Sequence, residues 1–482
     1  MPAPAELPRV VIAGGGITGL AAAFFLRATG AAVTVLEGSP RLGGKLAVSE
    51  VAGIAVDEGA EALLARRPEG TDLVGAAGLA GQLVQPGTTT AGIWTRERLR
   101  PLPRRQLMGV PADLDALASS GILSASGLAC ALAEAARPAT ARAGDVSVAS
   151  YVGARFGQEL VDRLVDPLLG GIYAGRSEQL SFEATLPALA AQSRRHASLA
   201  AAARAVLDAA EQPATGPGPV FTTLAGGLGT LVPAVAAASG AAVRTSAMVR
   251  GLARTPDGWR LTVGSAHAPE QLDADAVVLA LPPGPASRLL AGVPGAAAAA
   301  AGLGEIPSAS MAIVTLAYPD SAFPAPPQGS GYLVPAVDGH AVKAVTFSTV
   351  KWPQLRAAGQ PVQIVRCSVG RLGEEALLQR DDTELAALAA ADLAAATGVR
   401  GAPADTRVSR WGGGLPQYTV GHPDRVARIC ASIAAQPGLA ACGASYAGIG
   451  IPACIASARS AADQVIAYLA TRGAASGDGG GQ

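Results

Sequence analysis

The segment from Val10 to Glu37, VVIAGGGITGLAAAFFLRATGAAVTVLE, restricts the possible folds of this chain more than any other stretch. Val10 to Ala13 is a short apolar run that reads as a buried parallel strand, and Gly14, Gly16 and Gly19 follow at the spacing of a dinucleotide-binding turn. Gly14 permits the tight turn out of the strand, Gly16 lets backbone approach a pyrophosphate, and Gly19 lets the next helix lie close to the sheet. Gly15, Ile17 and Thr18 complete the turn at the start of a helix predicted to run to about Thr29. Its unpaired N–H groups and positive dipole end would face the phosphates. Gly30 breaks the helix before a second strand, Ala32 to Leu36, and Glu37 ends that strand. An acidic side chain there accepts hydrogen bonds from a ribose 2′-OH and repels a 2′-phosphate, which favours FAD or NAD over NADP. With 60 glycines in 482 residues the triplet alone would mean little; the order strand, glycines, helix, strand, acid carries the argument.

A chain of 482 residues is too long for one core and suits two or three domains. Its charge is balanced, 37 basic against 37 acidic residues, so no global field draws it to nucleic acid or to an anionic membrane. The five cysteines, Cys130, Cys367, Cys430, Cys442 and Cys454, are scattered and lack CxxC spacing, which argues against disulfides and zinc and for a reducing cytoplasm. The start, MPAPAELPRV, has neither the basic nor the apolar region of a secretion signal. Ala286 to Gly304 and Ile429 to Ala458 are uncharged or nearly so over much of their length, but Gly and Pro interrupt both, so neither is expected to span a membrane. His196, His267, His340 and His422 lie far apart and form no nucleophilic triad order or metal spacing.

After Glu37, GSPRLGGKL offers a second glycine-rich turn: Gly38, Gly43 and Gly44 allow close approach of the main chain, and Arg41 and Lys45 can neutralise phosphate oxygens. A nicotinamide enzyme has no need of this turn. Residues from Ala112 to about Ala210 are helix-forming in composition, broken at Pro138, Gly144 and Pro167, and Pro213 to Val220 reads as a linker. A helix from about Leu228 to Ala238 and a buried strand within Asp275 to Pro282 rejoin the first sheet, with a turn at Thr255-Pro256-Asp257-Gly258 between them. Strand-like runs between Ser308 and Ser368 suggest an antiparallel or mixed sheet, Asp382 to Thr397 is helical by pattern, and the chain closes on a glycine-rich loop and a helix with Pro452 in its first turn.

Five motifs, GGGITGL, RLGGK, GGIYAG, PQYTVGH and GIGIP, together with LLARRP and RERLRPLPRRQLMGVP, resemble segments of the bacterial porphyrinogen oxidases, a family within the amine oxidase superfamily of FAD proteins. The resemblance spans nearly the whole chain. It implies an α/β fold with a discontinuous Rossmann-like FAD-binding domain (1–85, 213–305 and 409–473), a mixed-sheet substrate domain (86–111 and 306–408), a helical subdomain (112–212) and a disordered tail (474–482). By the same resemblance Gly59, Ala60, Glu61 and Ala62 form a turn whose backbone lines the flavin. Relatives carry Gly-Pro-Asp-Ser there, so a side-chain contact from this turn is not carried over. Val249 would meet the adenine through its backbone, Trp411 would sit at the flavin, and Ile449, Gly450 and Ile451 would present N–H groups to its ring. Gly171, in GGIYAG, would line the porphyrinogen cavity, and Arg67 and Arg100 would anchor substrate carboxylates by their planar forks.

What the resemblance implies chemically is removal of hydride from a ring methylene to flavin N5, loss of pyrrole protons, and reoxidation of the flavin by molecular oxygen to give peroxide. No side chain is singled out as a catalytic base, in keeping with a cofactor that carries the chemistry. FAD is expected to be held without a covalent link, because no cysteine lies in Trp411 to Tyr418. Coproporphyrinogen III, with four propionates, suits a chain without membrane signals better than protoporphyrinogen IX, with two. A transient contact with the next haem-pathway enzyme is compatible with this reading, and the oligomeric state is left open. Among rival readings, an amine oxidase or a carotenoid desaturase shares the cofactor frame but predicts neither GGIYAG nor the arginine-rich segments, and a GDP-dissociation-inhibitor-like binding protein has no use for Glu37, Arg41 and Lys45 at a flavin.

Overall fold

In the computed structural model, residues 7–138, 144–210, 220–356 and 361–477 are described; most of the proline-rich linker at 213–220 and the end of the expected tail lie outside them. Five parallel strands form the central sheet in the spatial order Ala242–Arg244, Ala32–Leu36, Arg9–Ala13, Ala276–Leu279, Leu439–Ala441. Three distant parts of the sequence therefore build one sheet. Arg9–Ala13 pairs with Ala32–Leu36 on one side (Val10 opposite Val33) and with Ala276–Leu279 on the other (Val10 opposite Ala276), so the chain's first turn opens at the point where strand order reverses. Ligands of open α/β sheets bind at such a point.

The first helix, Ile17–Leu26, is buried on almost every side, from Thr18 through Phe24. Its alanines allow close packing against the last helix, Ile451–Gly477, and against Leu231–Ser239. Leu20, Ala22, Ala23 and Leu26 meet Ile455, Ala458 and Ala462 in one apolar cluster with Val10, Ile12 and Ala440. On the opposite face the hairpin Val249–Thr255 and Gly258–Gly264, continued by Pro269–Ala274, packs Trp259, Leu261 and Val263 against Val11, Ala13 and Val277. Here the expected turn closes as Thr255 pairs with Gly258.

A seven-stranded mixed sheet stands beside this unit, in the order Asp405–Pro416, Ser308–Pro319, Val362–Val369, Val342–Phe347, Gly331–Leu333, Gly92–Thr95, Arg98–Pro101. One pair in it is parallel, Gly331–Leu333 with Gly92–Thr95, and the others are antiparallel. The helix Asp382–Thr397, capped by the Asp381 carboxylate on the Glu384 N–H, covers one face. Helices from Leu114 to Ala210 form a third apolar cluster around Phe156, Leu164, Leu169 and Phe182. Two expected boundaries move: Leu228–Thr230 is a tighter 3₁₀ turn that precedes the helix Leu231–Ser239, and the last helix passes Gly473 and runs to Gly477 through helix-forming alanines. Among the described residues no helix is long and apolar enough to cross a membrane.

Candidate functional site

The glycine turn shows why each glycine is there. A Cβ on Gly14, whose φ is +109°, would lie 2.3 Å from the Ala280 carbonyl oxygen, and one on Gly19 would lie 1.9 Å from the Gly14 oxygen. A Cβ on Gly16 would meet nothing within 4 Å, because Gly16 faces open space at the start of Ile17–Leu26. Gly44 stands across from it, its Cβ position 3.4 Å from the Gly16 Cα, and a backbone bridge joins Gly16 to Gly43. Two glycine turns thus wall a recess at a helix N-terminus, the arrangement that accepts a diphosphate.

Glu37 closes one end of the recess. Its carboxylate accepts the Gly15 N–H at 2.8 Å and the Ser39 N–H at 2.8 Å, which fixes the side chain. Gly38 packs on Met248, and the Ala247 N–H donates to the Glu37 carbonyl, so Val249 begins its strand beside this corner. Arg41 turns back on its own loop, donating to the carbonyls of Gly44 at 2.9 Å and Leu42 at 3.2 Å, with its guanidinium 5.8 Å from the Trp411 ring centre.

The other end is built from four segments. Trp411 donates its indole N–H to the Glu58 carbonyl at 3.1 Å, and a Cβ on Gly59 would lie 3.2 Å from its ring. The Ala60 N–H reaches the Lys45 carbonyl at 3.4 Å. Lys45 is surrounded by protein yet keeps accessible surface, as expected of a side chain that lines a recess, and its burial lowers the ammonium pKa against an opposing pull from Cys454. Cys454, one turn into the last helix, has its thiol pKa raised by burial, with Lys45 and a hydrogen bond from Thr18 working the other way. Ile449, Gly450 and Ile451 immediately precede or begin that helix. Residues of the GGGITGL and RLGGK motifs, the Gly59–Ala60 turn and Trp411 therefore lie around one recess. Glu61 differs from its neighbours: its carboxylate is held by Lys351 Nζ at 2.7 Å and Arg366 Nη1 at 2.5 Å, aimed at the mixed sheet, with Ala62 half-buried after it. Its carboxyl pKa falls to about 2: burial alone would raise it, and the two cations outweigh that effect.

Of the remaining candidates, Arg67 lies at the start of the helix Pro68–Ala76, Arg100 on the edge strand Arg98–Pro101 and Gly171 on the helix Asp166–Tyr173. Gly171 and Ile172 are exposed at its end, with Leu333 3.2 Å from the Gly171 Cβ position. Arg67 is paired with Glu69 and half-exposed. Arg100 lies against Gly121, and its Nε is buried without a partner. Sequence reasoning missed a group beside Asp166–Tyr173: Arg176 and Arg371 share the Glu374 carboxylate, at 3.1 and 3.5 Å, and Lys343 is buried beside them with its Nζ on the Gly370 carbonyl. Burial, helped by Arg371, brings the Lys343 ammonium down to about 7. Arg176 follows GGIYAG directly and could have been flagged; Lys343, on the strand Val342–Phe347, and Arg371, just after the strand Val362–Val369, are distant in sequence and could not. The PQYTVGH segment joins the two regions. Gln417 donates to the Tyr173 carbonyl at 2.7 Å, and Tyr418, stacked on His422 at 3.9 Å, bonds the loop ahead of the last helix. Among the described residues no group of His, Cys, Asp or Glu is placed to hold a metal ion.

A helix N-terminus open across a glycine turn at the switch point of a parallel sheet, with an acid at the end of the next strand, defines a dinucleotide-cofactor protein. Residues 17–466 match the family of flavin containing amine oxidoreductases, and the chain belongs to that family. It is 38% identical to the coproporphyrinogen III oxidase of Mycobacterium tuberculosis (strain ATCC 25618 / H37Rv) over 466 residues, 95% of this chain and 97% of the relative. It is 31% identical to the enzyme of that name from Bacillus subtilis (strain 168), over 95% of this chain and 98% of the relative. A crystal structure from Exiguobacterium sp. 255-15, provisionally called a protoporphyrinogen oxidase, superposes with a TM-score of 0.83 at 31% identity, covering 96% of this chain and 99% of that one. The porphyrinogen oxidase resemblance and the α/β fold expected from the motifs are borne out, and the protein is a flavin-containing oxidoreductase.

Proposed function

We propose that this protein is an FAD-dependent, oxygen-using coproporphyrinogen III oxidase, acting in the cytoplasm, with FAD held without a covalent bond. The observation that carries the substrate reading is charge beside an apolar helix end: Arg176 and Arg371 share one carboxylate, Glu374, and Lys343 is buried beside them on the Gly370 carbonyl, next to exposed Gly171 and Ile172. A flat apolar macrocycle with several carboxylates matches that pairing, and the names of the M. tuberculosis and B. subtilis relatives support it. Protoporphyrinogen IX is the second reading, favoured by the name given to the Exiguobacterium structure.

In this reading Gly14, Gly15, Gly16, Ile17, Thr18, Gly19 and Gly44 hold the diphosphate, Lys45 adds positive charge, and Arg41 stiffens the loop that carries them. Glu37 and Gly38 take the ribose, and the Val249 backbone takes the adenine. The turn from Gly59 to Ala62, Trp411 and the backbone of Ile449, Gly450 and Ile451 enclose the ring. FAD held there would supply the acceptor for hydride from a ring methylene, with oxygen as the final electron acceptor and peroxide as its product. The chain itself orients the macrocycle through Arg67, Arg100 and the Gly171 wall, and it keeps the reacting face dry. Turnover of coproporphyrinogen III and protoporphyrinogen IX under air, with peroxide and porphyrin measured together, tests the assignment. A higher kcat/KM for coproporphyrinogen is expected; a preference for protoporphyrinogen would transfer the assignment to the second reading, and turnover of neither would end both.

A further inference from the structure

Behind the turn that carries Gly59 lies a small cavity lined by Asp57, Glu61, Thr223, Ser348, Trp352 and Arg366, among others. Three separate parts of the chain meet there: the hairpin Val48–Asp57, the strand Phe221–Leu224, and the helical turns Ser348–Lys351 and Pro353–Leu355 with Arg366 of the strand Val362–Val369. Four buried polar atoms on its walls have no hydrogen-bond partner: Thr223 Oγ1, Ser348 Oγ, Trp352 Nε1 and Arg366 Nε. These side chains are nine-tenths or more buried, so bulk water does not serve them. One orphaned group can be tolerated as local strain, but four on residues that line one hollow point to a missing partner.

The chemistry of the walls limits what that partner is. Trp352 Nε1 and Arg366 Nε only donate, so the occupant accepts at least two hydrogen bonds; the Thr223 and Ser348 hydroxyls can donate or accept. The other nitrogens of Arg366 are already committed, Nη1 to Glu61 and Nη2 to the Gly59 carbonyl at 2.5 Å. Charge is balanced, Asp57 and Glu61 against Arg366 and Lys351, so an anion would add an uncompensated negative charge, whereas a neutral donor and acceptor adds none. The space open to water centres is ≈ 20 Å³, and one water needs roughly 10–15 Å³. We propose that this cavity is a permanent buried-water site, holding one or two molecules that accept from Arg366 and Trp352 and donate to the hydroxyls. The water joins the strand Phe221–Leu224 to the mixed sheet behind the Gly59 turn, and Arg366 transmits that junction to the Gly59 carbonyl.

The test is a high-resolution crystal structure of the flavin-loaded protein grown with bromide, joined to melting curves of Thr223→Val and Ser348→Ala. Density within hydrogen-bond distance of both Arg366 Nε and Trp352 Nε1, without an anomalous bromide signal, is the expected result. A bromide peak would replace water by an anion, and an empty cavity would overturn the site. In the melting arm each variant deprives the water of a partner, and Tm should fall by about 2 °C. If the cavity is dry, each variant removes an orphaned hydroxyl instead, and an unchanged or raised Tm would overturn the proposal.

Discussion

The Tyr418 phenol accepts the Gly448 N–H at 2.8 Å while donating to the Ala444 carbonyl at 2.7 Å, so one side chain spans both ends of the loop that delivers Ile449, Gly450 and Ile451. Tyr418 is buried, its ring lies 5.7 Å from Tyr173, and desolvation raises its pKa, keeping the phenol a neutral donor.

Tyr418→Phe keeps the ring and removes the tether. Two backbone groups lose their partner, which costs about 1–3 kcal/mol, so Tm should fall. If the loop's N–H groups stabilise the reduced flavin, the midpoint potential should also move tens of millivolts negative, 30 mV being about 1.4 kcal/mol for a two-electron couple. Potentiometric titration of the purified variant separates the two roles: a lowered Tm with an unshifted potential would leave Tyr418 as structural only.

Glu37 presents a prearranged carboxylate, with Gly15 and Ser39 both donating to it. If Glu37 holds the ribose as proposed, Glu37→Ala removes those bonds and releases both amides, so FAD affinity should fall at least tenfold, about 1.4 kcal/mol, while the fold persists. Flavin content per protein, with circular dichroism as the control, is the measurement. An affinity equal to wild type would exclude Glu37 from the cofactor site.

The sheet and the paired glycine turns were legible because they depend on local backbone demands. Gly14 and Gly19 cannot carry a Cβ, Gly16 faces open space, and such requirements leave glycines at fixed spacing in the sequence. Asp382–Thr397 was equally legible, since an N-cap Asp and a following glycine mark both ends. The Arg176, Arg371, Lys343 and Glu374 group was not, because it forms only when the mixed sheet folds onto the end of Asp166–Tyr173. The direction of Glu61 was hidden for the same reason: its partners, Lys351 and Arg366, lie about 300 residues away.

Glu61 makes stability depend on acid in a defined window. Its folded pKa of about 2 lies below the ordinary 4.5, so the carboxylate contributes stability above pH 4.5 that is lost as pH falls toward 2. That contribution is on the order of 3 kcal/mol. Asp57 acts in the opposite sense: burial raises its pKa from 3.8 to about 6, so the folded state gains from protonation between those values, and below them its effect is constant. Glu61→Gln should therefore be less stable than wild type at neutral pH, with the gap closing only below about pH 4. Denaturant melts of both proteins at a series of pH values check this; a gap independent of pH would mean that the ion pairs contribute nothing.

Arg67 and Arg100 should not contribute equally to substrate binding. Arg67 already gives two nitrogens to Glu69 and stands half in solvent, so a substrate carboxylate there must compete with an internal partner and with water. Arg100 reaches between the sheet edge and Gly121 with a buried, unpartnered Nε, so its guanidinium has bonding capacity to offer and less solvent to displace. A charge-assisted hydrogen bond gained in such surroundings amounts to about 1.5–3 kcal/mol. Arg100→Ala should accordingly raise KM for coproporphyrinogen III about ten- to hundredfold, with a smaller change in kcat, because the contact is present both before and during the chemical step. Arg67→Ala should raise KM by less than about tenfold. Kinetics of both variants alongside wild type decide the ranking. An Arg67 effect larger than that of Arg100 would show that the Glu69 pair opens on binding, and two variants kinetically identical to wild type would leave the carboxylates to Arg176 and its neighbours.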